Sequence, residues 1–293
     1  KNGNGRAGGC CPGSAETWRV QLTPVPVDKY DMPSTLVYIL AALLGLSIGS
    51  FLNVAIYRLP REKLRVRSGR SRCPSCDTVL KWYHNIPVIS YVFLRGKCAF
   101  CSAPISWRYP AVELLNCGFY LCLIWQFGLT WQFAVYAYIA SVLLAVFFID
   151  LDFQIIPDVI TLPGIVLGLG ASLLPGGIGI VQSGIGLLVG GGSLYLVAML
   201  GDYLFKKESM GGGDIKLAAM LGAFLGWEKI LFVFVASAVI GLVVSAGLML
   251  FSAKLRQHRV VPFGPFIALA AVVAMLYGDQ VIRFYIETFV AAG

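Results

Sequence analysis

Apolar residues run through this chain in long unbroken stretches, and the polar residues collect between them. A helix crosses the hydrocarbon core of a bilayer with about 20 apolar residues. Measured against that length, the runs fall at 34–57, 111–129, 131–150, 159–175, 180–205, 214–227, 229–251 and 263–285. This pattern predicts about eight transmembrane helices. The sixth run is short, ending at Gly226 and Trp227 before Glu228, so a tilted or partial crossing is expected there. Glycine recurs inside the runs at Gly45, Gly49, Gly164, Gly168, Gly170, Gly184, Gly186 and Gly190 to Gly192, and small residues at such spacing let membrane helices approach closely. The stretch from Gly184 to Gly192 follows no strand and lies inside a span, so it is not a nucleotide-binding loop.

Residues 1–31 break the pattern: they are rich in Gly, Pro and polar residues and carry no helical periodicity. They read as a disordered tail, and as upstream sequence, since Met32 immediately precedes the first apolar run. The organisation that follows is a tail at 1–31, a first transmembrane helix at 32–57, a polar cysteine-bearing module at 58–110 and a helical membrane domain at 111–293.

Composition agrees. The chain is 58% hydrophobic and 13% charged, where a soluble domain averages about 25% charged residues. The fold class is therefore all-α and polytopic in the membrane. A formal charge of +8 could point to nucleic acid, but the charge is not spread over a surface. Eleven of the 23 Lys and Arg lie between Arg58 and Arg108, and such clustering marks loops kept on the cytoplasmic side. With the N-terminus outside, eight spans put 58–110, 151–158, 206–213 and 252–262 on that face. A basic loop there faces anionic lipid, so membrane lipid is the expected contact and no nucleic-acid partner is expected.

Four of the eight cysteines form two C-x2-C pairs, Cys73 with Cys76 and Cys98 with Cys101. Four thiolates in two such turns complete the tetrahedral shell of Zn²⁺ and leave no open position, which describes a structural site. Disulfides are disfavoured in a reducing cytoplasm. The module has little apolar material of its own, and a bound metal can supply the folding free energy that a small core lacks.

Acid chemistry centres on Gly211-Gly212-Gly213-Asp214-Ile215-Lys216. An ionisable group at membrane depth is costly and by default functional, and the glycines before it clear space for another backbone. A second acid stands at Asp150, at the end of the third run. Two carboxylates close enough to share a proton cannot both ionise, so one can activate water while the other donates to a carbonyl oxygen. Asp150 and Asp214 are thus the expected pair of an intramembrane aspartic protease. Asp152 and Asp158 belong to the loop interrupted by Pro157, with Asp158 in an N-cap position. A transporter that carries protons on the same two acids is the reading from another class. It would call for broken central helices or inverted repeats, which the chain does not display.

Several stretches together resemble the bacterial prepilin peptidases, or type IV leader peptidases. They are Gly49-Ser-Phe-Leu-Asn53-Val-Ala-Ile-Tyr-Arg-Leu-Pro60, the paired cysteine knuckles, Trp82-Tyr-His-Asn-Ile-Pro87, Trp107-Arg-Tyr-Pro110-Ala-Val-Glu113, Asp150-x-Asp152-x3-Ile156-Pro157-Asp158, Gly211-Gly-Gly-Asp214-Ile-Lys216 and Pro262-Phe-Gly-Pro-Phe266. The resemblance runs from about Leu43 to Ile267. It implies catalysis by Asp150 and Asp214, supported by Asp152, Asp158, Gly211, Gly213 and Lys216, and a home in the bacterial inner membrane with the site facing the cytoplasm. It implies type IV prepilins or pseudopilins as substrates, cut after a Gly that ends a short basic leader. It implies further that the new N-terminal residue is methylated from S-adenosylmethionine, an activity associated with the zinc module and, within it, with Gly96 and Lys97; a peptidase lacking that second activity is the alternative. A basic module would not attract a basic leader, so Asp150, Asp152, Asp158 and Glu208 are expected to steer it.

Overall fold

The computed structural model describes residues 34–61, 71–206, 210–251 and 262–290. The tail at 1–31 and Glu208 lie outside them. The described residues contain nine α-helices and no strand: α1 Ser34–Arg58, α2 Ile89–Phe93, α3 Arg108–Phe127, α4 Trp131–Phe153, α5 Asp158–Ala171, α6 Ile180–Phe205, α7 Gly212–Leu225, α8 Trp227–Phe251 and α9 Gly264–Tyr285. All but the short α2 coincide with an apolar run. The breaks between them have local causes. Thr130 caps α4 by accepting the Phe133 N–H, Gln154 closes the same helix in the left-handed region at φ 55°, and Gly226, at φ 83°, separates α7 from α8.

Six of these helices (α1, α3, α4, α6, α8 and α9) are long and apolar enough to cross a membrane. The other two long runs became α5 and α7, of 14 residues each, about 21 Å at 1.5 Å per residue and short of a hydrocarbon core about 30 Å thick. The sequence anticipates a short sixth helix but not a short fourth one. In α7 every residue from Leu217 to Leu225 is buried. Its backbone and side chains are sheathed by α5, α6, α8 and α9, so it need not match the bilayer, because protein rather than lipid surrounds it.

That sheath depends on backbone contact. A methyl group at Gly222 of α7 would overlap the Gly186 carbonyl of α6, and one at Gly186 would overlap the Gly222 carbonyl. One turn further along α6, Gly190 lies against the Ala218 carbonyl. On the opposite side, Gly164 and Gly168 of α5 receive Met220 and Ala223. Between two apolar helices in lipid, close packing rather than water exclusion supplies the attraction. The crossing of α1 and α3 follows the same rule, with Gly45 against the Cys117 backbone and Gly49 against that of Glu113. There a buried polar chain adds to it: Asn116 donates to the Gly45 carbonyl at 2.8 Å and accepts from Ser141 at 2.9 Å, and Ser141 meets Tyr120. At the end of the bundle away from Asp150, Lys229 of α8 pairs with Asp279 of α9 at 2.9 Å.

Gly222→Ala should lower stability in detergent by about 1–3 kcal/mol, the usual cost of extra volume in a packed core. Gly192→Ala, whose added methyl meets nothing within 4 Å, should leave the thermal midpoint unchanged or slightly raised. Equal effects at the two positions would contradict the backbone crossing.

Candidate active site and metal centre

Asp150 is 5% exposed, near the end of α4. Asp214 stands in the first turn of α7, where a carboxylate is favoured by the helix dipole. The linker residue Ile156 brings them together. Its side chain fills the space at Gly213, where an added Cβ would lie 2.9 Å from the Ile156 Cβ. Its Cδ1 also reaches Gly264, the first residue of α9. Gly264 in turn lies against Asp150: its N–H donates to the carboxylate, and a Cβ there would come 2.5 Å from the Asp150 Oδ2. Asp150, Gly264, Ile156, Gly213 and Asp214 therefore form one contiguous patch, with the two acids near enough for the charge of Asp150 to be felt at Asp214. Gly211 completes it, with a Cβ position 3.6 Å from the Asp214 Oδ2.

Two positions differ from the sequence reading. Asp152 is not in a loop but in the last turn of α4, which continues to Phe153. Pro157, not Asp158, occupies the N-cap of α5, and Asp158 is its first residue; the residue before the proline is held extended, and the helix begins immediately after the ring. Both acids are ion-paired. The Asp152 carboxylate accepts from Arg108 at 2.5 Å, while the same guanidinium donates to the Phe148 carbonyl and lies over the Phe148 ring. Lys216 donates to both carboxylate oxygens of Asp158 at 2.7 Å, tying the starts of α5 and α7 together. Their negative charge is thus largely balanced by these partners.

The second centre is the cysteine module. The Sγ atoms of Cys73, Cys76, Cys98 and Cys101 all lie within 4.8 Å of one another, and those of Cys73 and Cys101 are 3.8 Å apart. Tetrahedral Zn²⁺ with Zn–S bonds of about 2.3 Å requires S–S separations of about 3.8 Å, so the four sulfurs fit the ion. The two knuckles are near copies. Each is closed by an isolated antiparallel bridge, Arg72 with Val79 and Lys97 with Pro104. Each has a left-handed residue after its second cysteine, Asp77 at φ 52° and Ser102 at φ 57°. Gly96, at φ 68°, stands immediately before the second bridge, and Tyr91 leaves no room for a larger residue there. The thiols are unequal. Thr78 draws that of Cys76 down to about 6. At Cys101 the Ala103 N–H favours the thiolate, but desolvation and the sulfurs of Cys76, Cys98 and Cys73 outweigh it and push the thiol up to about 12. Four thiolates this close repel one another, and a divalent cation removes that obstacle.

From the sequence, Glu113 opens the second apolar run as a carboxylate suited to a helix N-terminus; the structure gives it specific partners. It is 7% exposed in the second turn of α3, and its Oε2 accepts the Val88 N–H at 2.8 Å. Ser50 and Asn53 of α1 also bond to it. A carboxylate within an otherwise apolar run was a visible signal, but its partner 25 residues away was not.

Two family models cover most of the described helices. The Bacterial Peptidase A24 N-terminal domain matches residues 43–127 and the Type IV leader peptidase family matches residues 137–246, a stretch that includes both aspartates. Three relatives bear the name prepilin leader peptidase/N-methyltransferase. That of Stutzerimonas stutzeri is 38% identical over 91% of this chain and 99% of its own length. That of Pseudomonas aeruginosa is 35% identical over 90% and 98%, and that of Legionella pneumophila 33% over 85% and 94%. No solved structure matches the chain.

The purified protein should hold about one divalent cation per chain. Cys76→Ser should lose it and render 71–107 protease-sensitive while the membrane helices stay folded. Retention of the metal in that variant would remove Cys76 from the ligand set.

Proposed function

Because the chain belongs to the type IV leader peptidase family, we propose that it cleaves type IV prepilins or pseudopilins with Asp150 and Asp214 and then methylates the new N-terminus. The observation that carries this reading is the patch in which Ile156 bridges Gly213 and Gly264 and brings the two acids into electrostatic contact. In such a pair one carboxylate keeps its proton while the other is ionised. The ionised acid takes a proton from water, the resulting hydroxide attacks the scissile carbonyl carbon, and the protonated acid donates to the carbonyl oxygen. Collapse of the tetrahedral species returns a proton to the leaving nitrogen and breaks the C–N bond.

The surroundings suit that role. Gly211, Gly212 and Gly213 leave the N-terminus of α7 without bulk beside Asp214. Lys216 with Asp158 ties the starts of α7 and α5 together, and Arg108 with Asp152 ties the start of α3 to the end of α4. We read these four residues as supports for the pair, with steering of a basic leader left to the two central acids and to Glu208. The abundance of basic residues between Arg58 and Arg108 supports reading this end of the bundle as cytoplasmic. A substrate whose apolar helix stays in the inner membrane then presents its leader junction at the depth of the acids.

Zn²⁺ is the cation the four cysteines suit best, as a closed structural centre for the module at 58–110 between the first helix at 32–57 and the catalytic helices at 111–293. S-adenosylmethionine would supply an electrophilic methyl group to the free amine that cleavage creates. We place Gly96 and Lys97 in this second activity as shapers of the second knuckle, since their backbone turn fixes where that knuckle sits.

Incubation of the protein with a prepilin in detergent tests the reading. Asp150→Asn and Asp214→Asn should each lower cleavage by about two to four orders of magnitude, the usual contribution of a general acid or base, with fold and metal content retained. Wild-type cleavage in either variant would remove that residue from the reaction.

A further inference from the structure

The module does not simply rest on the bundle. Its segment Asn85-Ile86-Pro87-Val88 lies against the bundle: Asn85 and Pro87 share a surface with Ser47 and Ser50 of α1, and the Val88 N–H reaches the buried Glu113 of α3. Val88 holds φ 60° and ψ −47° to do so. A β-branched residue in that region is a true outlier, and strain of this kind persists only where surrounding contacts impose it, often at functional sites. There a shallow, open cleft of about 300 Å³ lies between the module and α1, lined by Ser47, Ser50, Phe51, Val54, Asn85 and Pro87. Its walls are polar at Ser47, Ser50 and Asn85, and Phe51, 57% exposed on a membrane helix, forms an apolar lip. Ser50 joins the cleft to Glu113 behind it. Among the described residues no ion pair engages that carboxylate. Leu52 and Ile56 of α1 pack with Ile149, so the cleft occupies a different face of α1 from the one turned to the aspartates.

We propose that this cleft receives the free α-amino terminus of the processed substrate during methyl transfer, with Ser50 and Asn85 contacting the amine and Glu113 as the positioning residue behind them. The inference rests on the reading that the chain methylates what it cuts. A buried carboxylate without a cationic partner favours a cation brought in by a ligand, and the α-ammonium is one. The lip at Phe51 suits an occupant that arrives through the bilayer, as the apolar helix of a cleaved substrate does. In the reaction the amine gives up a proton, which Glu113 accepts through the Ser50 hydroxyl. The nitrogen lone pair then attacks the methyl carbon of the sulfonium donor. The N–C bond forms as the C–S bond breaks, and the bonding pair stays on sulfur as a neutral thioether.

The test uses the full chain with pre-cleaved substrate and labelled S-adenosylmethionine. Glu113→Gln and Ser50→Ala should leave leader cleavage unchanged and raise KM for the processed substrate about tenfold or more, since hydrogen bonds to charged groups are worth about 1.5–3 kcal/mol. KM for the methyl donor should not move. Independently of methylation, a peptide with the processed N-terminus should protect Val54→Cys, a cleft residue that makes no contact to the amine, from maleimide, read by mass at that residue, and its N-acetylated form should not. Equal protection by the two peptides, or none, overturns the proposal. A rise in donor KM instead assigns the cleft to the donor and also overturns it. Wild type that cleaves without methylating, with selective protection intact, defeats the methyl-transfer reading and leaves the amine site standing.

Discussion

Two carboxylates cannot be placed side by side in a poorly solvated bundle unless packing holds them there, because each resists desolvation and each repels the other. The fold answers this with glycine. Gly213 and Gly264 have no side chains, so Ile156 can wedge between the starts of α7 and α9, and Asp150 can lie directly on the Gly264 backbone, which donates a hydrogen bond to it. A side chain at Gly213 would crowd Ile156, and one at Gly264 would crowd the Asp150 carboxylate. Backbone contact between Gly186 and Gly222 then fixes α7 in the bundle, and the Lys216–Asp158 pair fixes its register against α5. The geometry of the acids is therefore a consequence of close helix packing, and its electrostatic cost is carried by that packing.

The two short helices follow from the same arrangement. Helix α7 is surrounded by protein and has no bilayer thickness to match; α5 buries only its Thr161, Gly164 and Gly168 side, against α7, and both helices carry an acid, Asp158 and Asp214, in their first turns. A full-length span in either place would bury these N-termini in hydrocarbon or carry them beyond the reach of Asp150. The cysteine module is held to the remaining helices by different means: a strained Val88, a buried Glu113 and the side chains of Ser50 and Asn53. Its internal stability rests on four sulfurs at metal-binding distance, and its position rests on one carboxylate. Order within the module can thus be lost without loss of the aspartate patch.

Much of this was legible in the sequence because membrane helices announce themselves by length and composition, and because C-x2-C spacing encodes a ligand set locally. The eight apolar runs each became a helix, and the four cysteines converged. What the sequence could not convey was contact between distant segments. Asp152 reads as a loop residue because Pro157 follows closely, yet the left-handed Gln154 lets α4 run three residues past Asp150. Asp152 and Asp158 read as free steering charges because Arg108 and Lys216 lie 44 and 58 residues away from them. Glu113 reads as a helix-start acid because nothing in its spacing points to Val88. Meanwhile Gly164 and Gly168 announce close packing but not their partner, α7.

The central claim is that Asp150 and Asp214 act as one proton-sharing unit, and a transition-state mimic examines it most directly. A peptide spanning the leader junction, with a hydroxyl-bearing isostere replacing the scissile amide, presents the tetrahedral geometry to both carboxylates at once, and such mimics bind about 10²-fold or more tighter than substrate. The account predicts tight binding to the wild-type protein, lost to substrate-like affinity when either aspartate alone becomes Asn. Tight binding that survives either single substitution would show that the two acids do not work as a pair.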